Sequence, residues 1–318
     1  MANLNGIICI HKPQDFTSFD VVAKMRGIAQ TRKAGHAGTL DPMATGVLPI
    51  FFGNATKACD IMPDDTKCYI ADFRLGIQTD TYDIWGKEIS NQQSSVTLRQ
   101  IEDKLNLFRG KISQVPDAAA KLTGHIHQVP PMYSAVQVNG QRLYDIARQG
   151  LTVERKARTV TVDSLKLLAF DEKNQCGKLE ISCSKGTYIR SICHDLGQEL
   201  GCGATMTGLV RTRAGVFTLD DCITLEQAQQ CADKQDFSAV LLDTEKIFDR
   251  LPKIKLNEIQ SRKFINGMRL DLNRVYHTEN SGFHAVFDNR KRFMGLASLD
   301  FDKMELVIEK MFLERESF

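Results

Sequence analysis

The sequence predicts an α+β protein with a main domain and a smaller, β-rich C-terminal module, and three observations carry that prediction. Apolar residues alternate along short runs, as in Lys67–Leu75 and 178–183, the period of a half-buried strand. Elsewhere Ile189, Ile192, Cys193, Leu196 and Leu200 recur at helical spacing ahead of Gly201, the stripe of an amphipathic helix with a glycine stop. From residue 253 onward, KIKL, FHAVF, FMGLASL and LVIEKMF are short alternating segments separated by Asn, Gly and Asp. At 318 residues the chain is long for one core. We therefore expect a main domain over 1–250, a reading of Leu251-Pro252 as a linker, and a second domain over 251–318.

Taken in order, residues 6–11 (GIICIH) form an apolar run ended by Lys12-Pro13, consistent with a buried strand. Thr17 with Asp20 three residues on is a capping-type helix start, followed by Phe19, Val22, Met25 and Ala29 at helical spacing. Basic residues Lys24, Arg26, Arg32 and Lys33 close that helix. In 67–75, Tyr69, Ala71, Phe73 and Leu75 share one strand face. Thr97 with Gln100 is a capping box opening a helix with the stripe Leu98, Ile101, Leu105 and Phe108. Between 129 and 158, Asn139-Gly140 signals a hairpin, and Tyr144 lies among Arg148, Arg155, Lys156 and Arg158. Aromatics beside cations suit distorted or single-stranded RNA, which needs charge for phosphates and π-faces for bases. Arg190 falls in the first turn of its helix, where the dipole disfavours a cation unless an anion compensates it.

Composition narrows the function classes. With 42% hydrophobic and 25% charged residues the chain reads as an ordinary soluble protein. A net charge of +2 means that nucleic-acid binding would rest on local basic patches. Nine cysteines without a CxxC pair argue against a disulfide framework and a thiolate zinc site, and suit a reducing cytosol. His125 and His127 lack a nearby cysteine or acid cluster and read as surface histidines. No apolar run approaches the length of a membrane span, and the N-terminus has no signal-type apolar region, so a cytoplasmic location is expected.

Residues 35–50, GHAGTLDPMATGVLPI, hold three glycines and two prolines and cannot be a plain helix or strand. Asp41, pushed toward extended backbone by Pro42, is a carboxylate in a shaped loop before an apolar run: a turn cap, or a nucleophile or base. There is no GxxxxGK[ST], and Met43 stands where a phosphate-transferring Asp loop carries a second acid.

GHAGTLDPMATGVLP resembles the signature of the TruB-type tRNA pseudouridine synthases, which isomerise uridine 55 in the T-arm of tRNA. The similarity continues through RLG (74–76), TDT (79–81), CSKGTYIR (183–190) and the L-x-R stretch Leu209, Arg211 and Arg213. Two positions depart from the pattern: Ala37, and Asp15 in place of a Gly in the opening KPxGxTS-like segment. The resemblance implies the pseudouridine synthase fold, a mixed and largely antiparallel central sheet flanked by helices, with a small PUA-like RNA-binding barrel at the C-terminus. It implies an isomerase without cofactor or metal. Asp41 would be the essential carboxylate, adding to sugar or base or removing a sugar proton. Arg190 would pair with it, and Tyr69 would stack on the flipped uracil and help remove the C5 proton. His36 would insert near the vacated position, Leu209 would pack on the base, Asp83 would join the polar network, and Lys12 and Arg211 would contact substrate. Residues 124–158 would be an RNA-gripping insertion, the partner tRNA, and the protein a monomer with no obligate protein partner. The competing reading is a non-catalytic tRNA-binding or RNA-folding protein, which would have no need to keep Asp41, Tyr69 and Arg190 together. A carboxylate glycosidase would want two acids around the scissile bond, and the loop offers one.

Overall fold

The computed structural model describes residues 4–109, 124–134, 136–138, 140–277 and 282–313. The first strand, β1 (Gly6–Lys12), leads into α1 (Ser18–Ile28), the short β2 (Ala34–His36) and β3 (Thr45–Phe52). Then come β4 (Lys67–Leu75), the hairpin β5 (Ile77–Thr79) and β6 (Glu88–Asn91), and α2 (Leu98–Arg109). After β7 (Gly124–Gln128) the chain makes a small hairpin, β8 (Gln137–Val138) and β9 (Gln141–Arg142), and the short α3 (Leu143–Arg148). It returns through β10 (Arg158–Asp171), β11 (Cys176–Cys183), α4 (Ile189–Glu199) and β12 (Ala204–Ala214). The last main-sheet strands, β13 (Phe217–Thr218) and β14 (Cys222–Ile223), precede α5 (Leu225–Asp233).

These strands form a ten-stranded sheet in the order β14-β1-β3-β12-β4-β11-β10-β7, with β13 on β12 and β2 on β3. Only β1–β14 and β3–β12 pair in parallel, so the sheet is mixed and largely antiparallel, as expected. The parallel contact at β3–β12 dictates one residue. Gly46 sits opposite Arg211 with φ +102, and a Cβ there would lie 2.2 Å from the Arg211 carbonyl, so only glycine fits.

The side-chain patterns act as read, with two exceptions. Tyr69, Ala71, Phe73 and Leu75 are buried together along β4, as are Leu179, Ile181 and Cys183 on β11. Thr17 and Asp20 form the capping box of α1. Phe19, however, is 64% exposed: the buried face of α1 is Ser18, Val21, Val22, Met25 and Ile28. Leu98 is likewise exposed, while Ile101 and Leu105 pack inward; the side chain of Phe108 lies outside the described residues. Asn139 lies outside them too; β8 and β9 pair antiparallel, with Val138 opposite Gln141. His125 and His127 are exposed on β7, facing Thr161 and Thr159.

The C-terminal residues form a five-stranded sheet, β15 (Lys253–Lys255), β17 (His284–Phe287), β18 (Phe293–Asp300), β19 (Glu305–Met311) and β16 (Leu270–Asp271) in that order, with α6 (Glu258–Ile265) beside it. Leu251-Pro252 is not a free linker: Leu251 packs on a cluster that joins Phe51 and Phe217 to Ala285, Leu296 and Phe312. No helix among the described residues is long and apolar enough to cross a membrane.

Candidate active site

The loop between β2 and β3 is fixed on both sides of Asp41. Ser18, the first residue of α1, takes both backbone groups of Leu40: the Leu40 N–H donates to Ser18 Oγ at 2.8 Å, and Oγ lies 3.2 Å from the Leu40 carbonyl. On the other side the Pro42 carbonyl accepts from the Asp15 N–H at 3.0 Å and from Lys12 Nζ at 3.2 Å. Asp15 stands in the left-handed region with φ 69, so an Asp tolerates the backbone that the familiar glycine would supply. With both neighbours pinned, the Asp41 carboxylate has little freedom beyond its own rotamers.

Arg190 faces it from the first turn of α4. Its Nε lies 2.9 Å from Asp41 Oδ2 as an ion contact, and its Nη2 donates to Asp41 Oδ1 at 3.2 Å. The rest of the guanidinium is also taken: Nη1 by Asp83 Oδ2 at 3.3 Å and the Thr81 carbonyl at 3.2 Å, and Nη2 also by the Tyr133 carbonyl at 2.9 Å. Two carboxylates thus compensate a cation that is 5% exposed at a helix N-terminus, which removes the electrostatic anomaly of its position. Burial pushes the Asp83 carboxyl up, and Arg190 opposes that shift.

Asp41, Tyr69, Arg190 and Leu209 line one cleft of about 320 Å³, together with Lys67, Ser134 and Lys185. Tyr69 and Leu209 come from adjacent strands, β4 and β12, and are 6% and 7% exposed, forming an apolar wall. Burial drives the Tyr69 phenol up to about 12, so it is neutral near pH 7.

A family model described as the N-terminal domain of TruB family pseudouridylate synthases matches residues 26–120 and 117–189. A second, the tRNA pseudouridylate synthase B C-terminal domain, matches 190–249. The tRNA pseudouridine synthase B of Clostridium perfringens strain 13 is 39% identical over 98% of this chain and 100% of its own length. The chain belongs to the TruB family. The enzyme of the same name from Syntrophomonas wolfei is 42% identical over 84% of this chain and 85% of its own. In fold, the TruB chain is similar to a chain of an H/ACA RNP bound to a substrate RNA containing 2'-deoxyuridine, with TM-score 0.72 and 22% identity over 98% of this chain and 86% of that one. An archaeal box H/ACA Nop10–Cbf5 complex gives TM-score 0.70.

Three residues expected at the TruB substrate surface are placed otherwise. Lys12 and Arg211 are both 0% exposed. The Lys12 ammonium is spent on the carbonyls of Pro13, Phe16 and Pro42, and burial pulls it down to about 8, opposed by Asp41. The Arg211 side chain donates to the Val47 and Gly38 carbonyls at 2.8 and 3.1 Å. Both cations hold the motif loop from inside. His36 ends β2, half-buried and outside the cleft wall, and burial and Arg211 hold its imidazole low, hence neutral near pH 7. Asp83 also lies behind the cleft, touching Arg190 rather than the open space.

Sequence reasoning missed the residues that act through backbone. Gln128, at the end of β7, closes a two-bond staple on Tyr188, the residue before α4. Its Oε1 accepts from the Tyr188 N–H at 2.8 Å and its Nε2 donates to the Tyr188 carbonyl at 3.0 Å. Ser18, beside a capping threonine, had a detectable signal in the helix start; Gln128 had none.

Proposed function

We propose that the protein isomerises uridine to pseudouridine at position 55 in the T-arm of tRNA, with Asp41 as the essential carboxylate. The observation that carries this reading is the pairing of the buried Arg190 with the partly exposed Asp41 at 2.9 Å on one side of a cleft walled by Tyr69 and Leu209. Pseudouridine formation breaks the N1–C1′ bond with its electron pair left on N1, turns the base, joins C5 to C1′, loses the C5 proton to solvent and gains a proton at N1. Arg190 orients Asp41, and the same carboxylate serves whether it adds to the sugar or base or removes a sugar proton. The target must leave the stack, which costs a few kcal/mol. Stacking on Tyr69 returns about 1–3 kcal/mol. The phenol serves there as a stacking face and hydrogen-bond partner. Leu209 closes the apolar side of the base pocket.

The segment 129–157 between β7 and β10 supports RNA contact, with Arg148 over the Tyr144 ring at 4.8 Å. In this reading residues 1–250 are the catalytic domain and 251–318 a PUA-like RNA-binding domain with exposed Arg262, Lys263, Arg269, Arg290 and Lys291. The protein works as a cytoplasmic monomer, with tRNA as partner and no cofactor. Tritium release from a tRNA transcript labelled at uridine C5 tests this: one equivalent per tRNA from the wild type, lost in Asp41→Asn while RNA binding persists. Equal loss of binding in the mutant would remove Asp41 from the chemistry.

A further inference from the structure

Among the described cleft residues, Ser134 presents a buried hydroxyl without a partner. It is 5% exposed, lines the cleft with Asp41, Tyr69 and Arg190, and its Oγ makes no hydrogen bond. Buried hydroxyls are ordinarily bonded, and one that is not calls for a reason. Its backbone, by contrast, is fully held. The Ser134 N–H donates to the Met132 carbonyl and its carbonyl accepts from the Tyr144 N–H, both at 3.0 Å. The preceding carbonyl, of Tyr133, is fixed by Arg190. The main chain is therefore positioned by the same guanidinium that holds the catalytic carboxylate, while the side chain is idle. Turning about χ1 from a rotamer in which Oγ has no partner forfeits no bond to the protein.

We propose that Ser134 is a uracil-contacting residue of the isomerisation, an assignment that rests on the function argued above. In the loaded enzyme its hydroxyl turns into the cleft and hydrogen-bonds an exocyclic oxygen of the base. Between cleavage at N1 and closure at C5 the detached base must turn within the cleft without leaving it. As an O–H that donates, Ser134 offers the base oxygens a partner, and it favours any negative charge they gain when the base detaches. Tyr69 and Leu209 grip the face of the base; Ser134 grips its edge.

The experiment crosses Ser134→Ala with 2-thiouridine or 4-thiouridine at the target position of the tRNA, since sulfur accepts a hydrogen bond more weakly than oxygen. Ser134→Ala is expected to lower turnover of uridine RNA about tenfold, with the affinity for RNA unchanged. One thio substitution, at the contacted oxygen, should slow the wild type by several-fold and leave Ser134→Ala no slower than it is on uridine. The thio-to-oxo ratio is internal to each protein, so partial misfolding of the variant cancels. Equal ratios in both proteins at both positions would overturn the assignment while leaving the isomerase in place. Absence of turnover by the wild type on uridine RNA would overturn both.

Discussion

Arg190 is held by more partners than the pair with Asp41 needs, and that surplus defines its role. Its fork meets two carboxylates and two backbone carbonyls, from three different segments of chain. A lysine could keep the charge but not the planar set of donors, since an ammonium on a flexible stem acts as a point charge. Arg190→Lys should therefore leave Asp41 free to turn and the carbonyls of Thr81 and Tyr133 short of a donor. We expect single-turnover rates to fall about 100-fold or more, with RNA affinity little changed. A rate within threefold of wild type would mean that charge alone suffices and that the fork is structural. Asp83 belongs to the same argument: it anchors the guanidinium from the side away from the cleft, so it acts on Asp41 only through Arg190.

At the scale of elements, the site is a set of strand and helix ends tied to one another through backbone groups. β1 contributes Lys12 and α1 contributes Ser18 to the loop around Asp41; β12 contributes Arg211 from beneath; β7 contributes Gln128 to the start of α4. The Tyr188 side chain does not cap α4; Gln128 holds the Tyr188 N–H two residues ahead of Arg190 and shares its carbonyl with the Ile192 N–H. Gln128→Ala would leave the Tyr188 N–H unbonded at a partly buried position, while the carbonyl keeps the bond from the Ile192 N–H at 3.2 Å, costing about 1–3 kcal/mol of stability. It should also slow turnover by misplacing Arg190, and chemical denaturation beside single-turnover kinetics would show the two effects together. Loss of stability with an unaltered rate would sever Gln128 from the site. This wiring also explains what could be read beforehand. Tyr69 follows from strand alternation, Leu209 from the resemblance of its L-x-R stretch, and Arg190 from an electrostatic misfit on a clear helix stripe. Asp41 stood in a loop whose glycines and prolines fix its path. Lys12 and Arg211 are expected at the substrate only through the resemblance; the Pro42, Val47 and Gly38 carbonyls that help bury them belong to other segments and leave no trace in local sequence. Phe19 and Leu98 failed for a related reason, since spacing gives a stripe's period while the neighbours of α1 and α2 choose which stripe faces inward.

Across the whole molecule, the two sheets share a core rather than a tether. Phe248, ahead of the C-terminal module, lies 5.6 Å from both Phe293 and Phe312, and those two rings stack at 5.5 Å. Asn54 Nδ2 and Lys57 Nζ reach across to the carbonyls of Phe312 and Met311 at 3.1 and 2.8 Å. Residues 53–58 run directly into Cys59, Asp60 and Met62 on the cleft wall, so the C-terminal sheet braces the segment that leads to the site. Phe312 is 4% exposed, and Phe312→Ala should cost about 3–5 kcal/mol by opening a cavity at this junction. The single tryptophan makes the consequence measurable: Trp85 sits between β5 and β6, in the part of the chain before the C-terminal module. If the shared core couples the sheets, urea unfolding followed by Trp85 fluorescence and by far-UV circular dichroism will shift together to lower denaturant in Phe312→Ala. Were the modules independent, the Trp85 midpoint would stay at its wild-type value while the dichroism split into two transitions, because the lost ring would then weaken only the sheet that carries it.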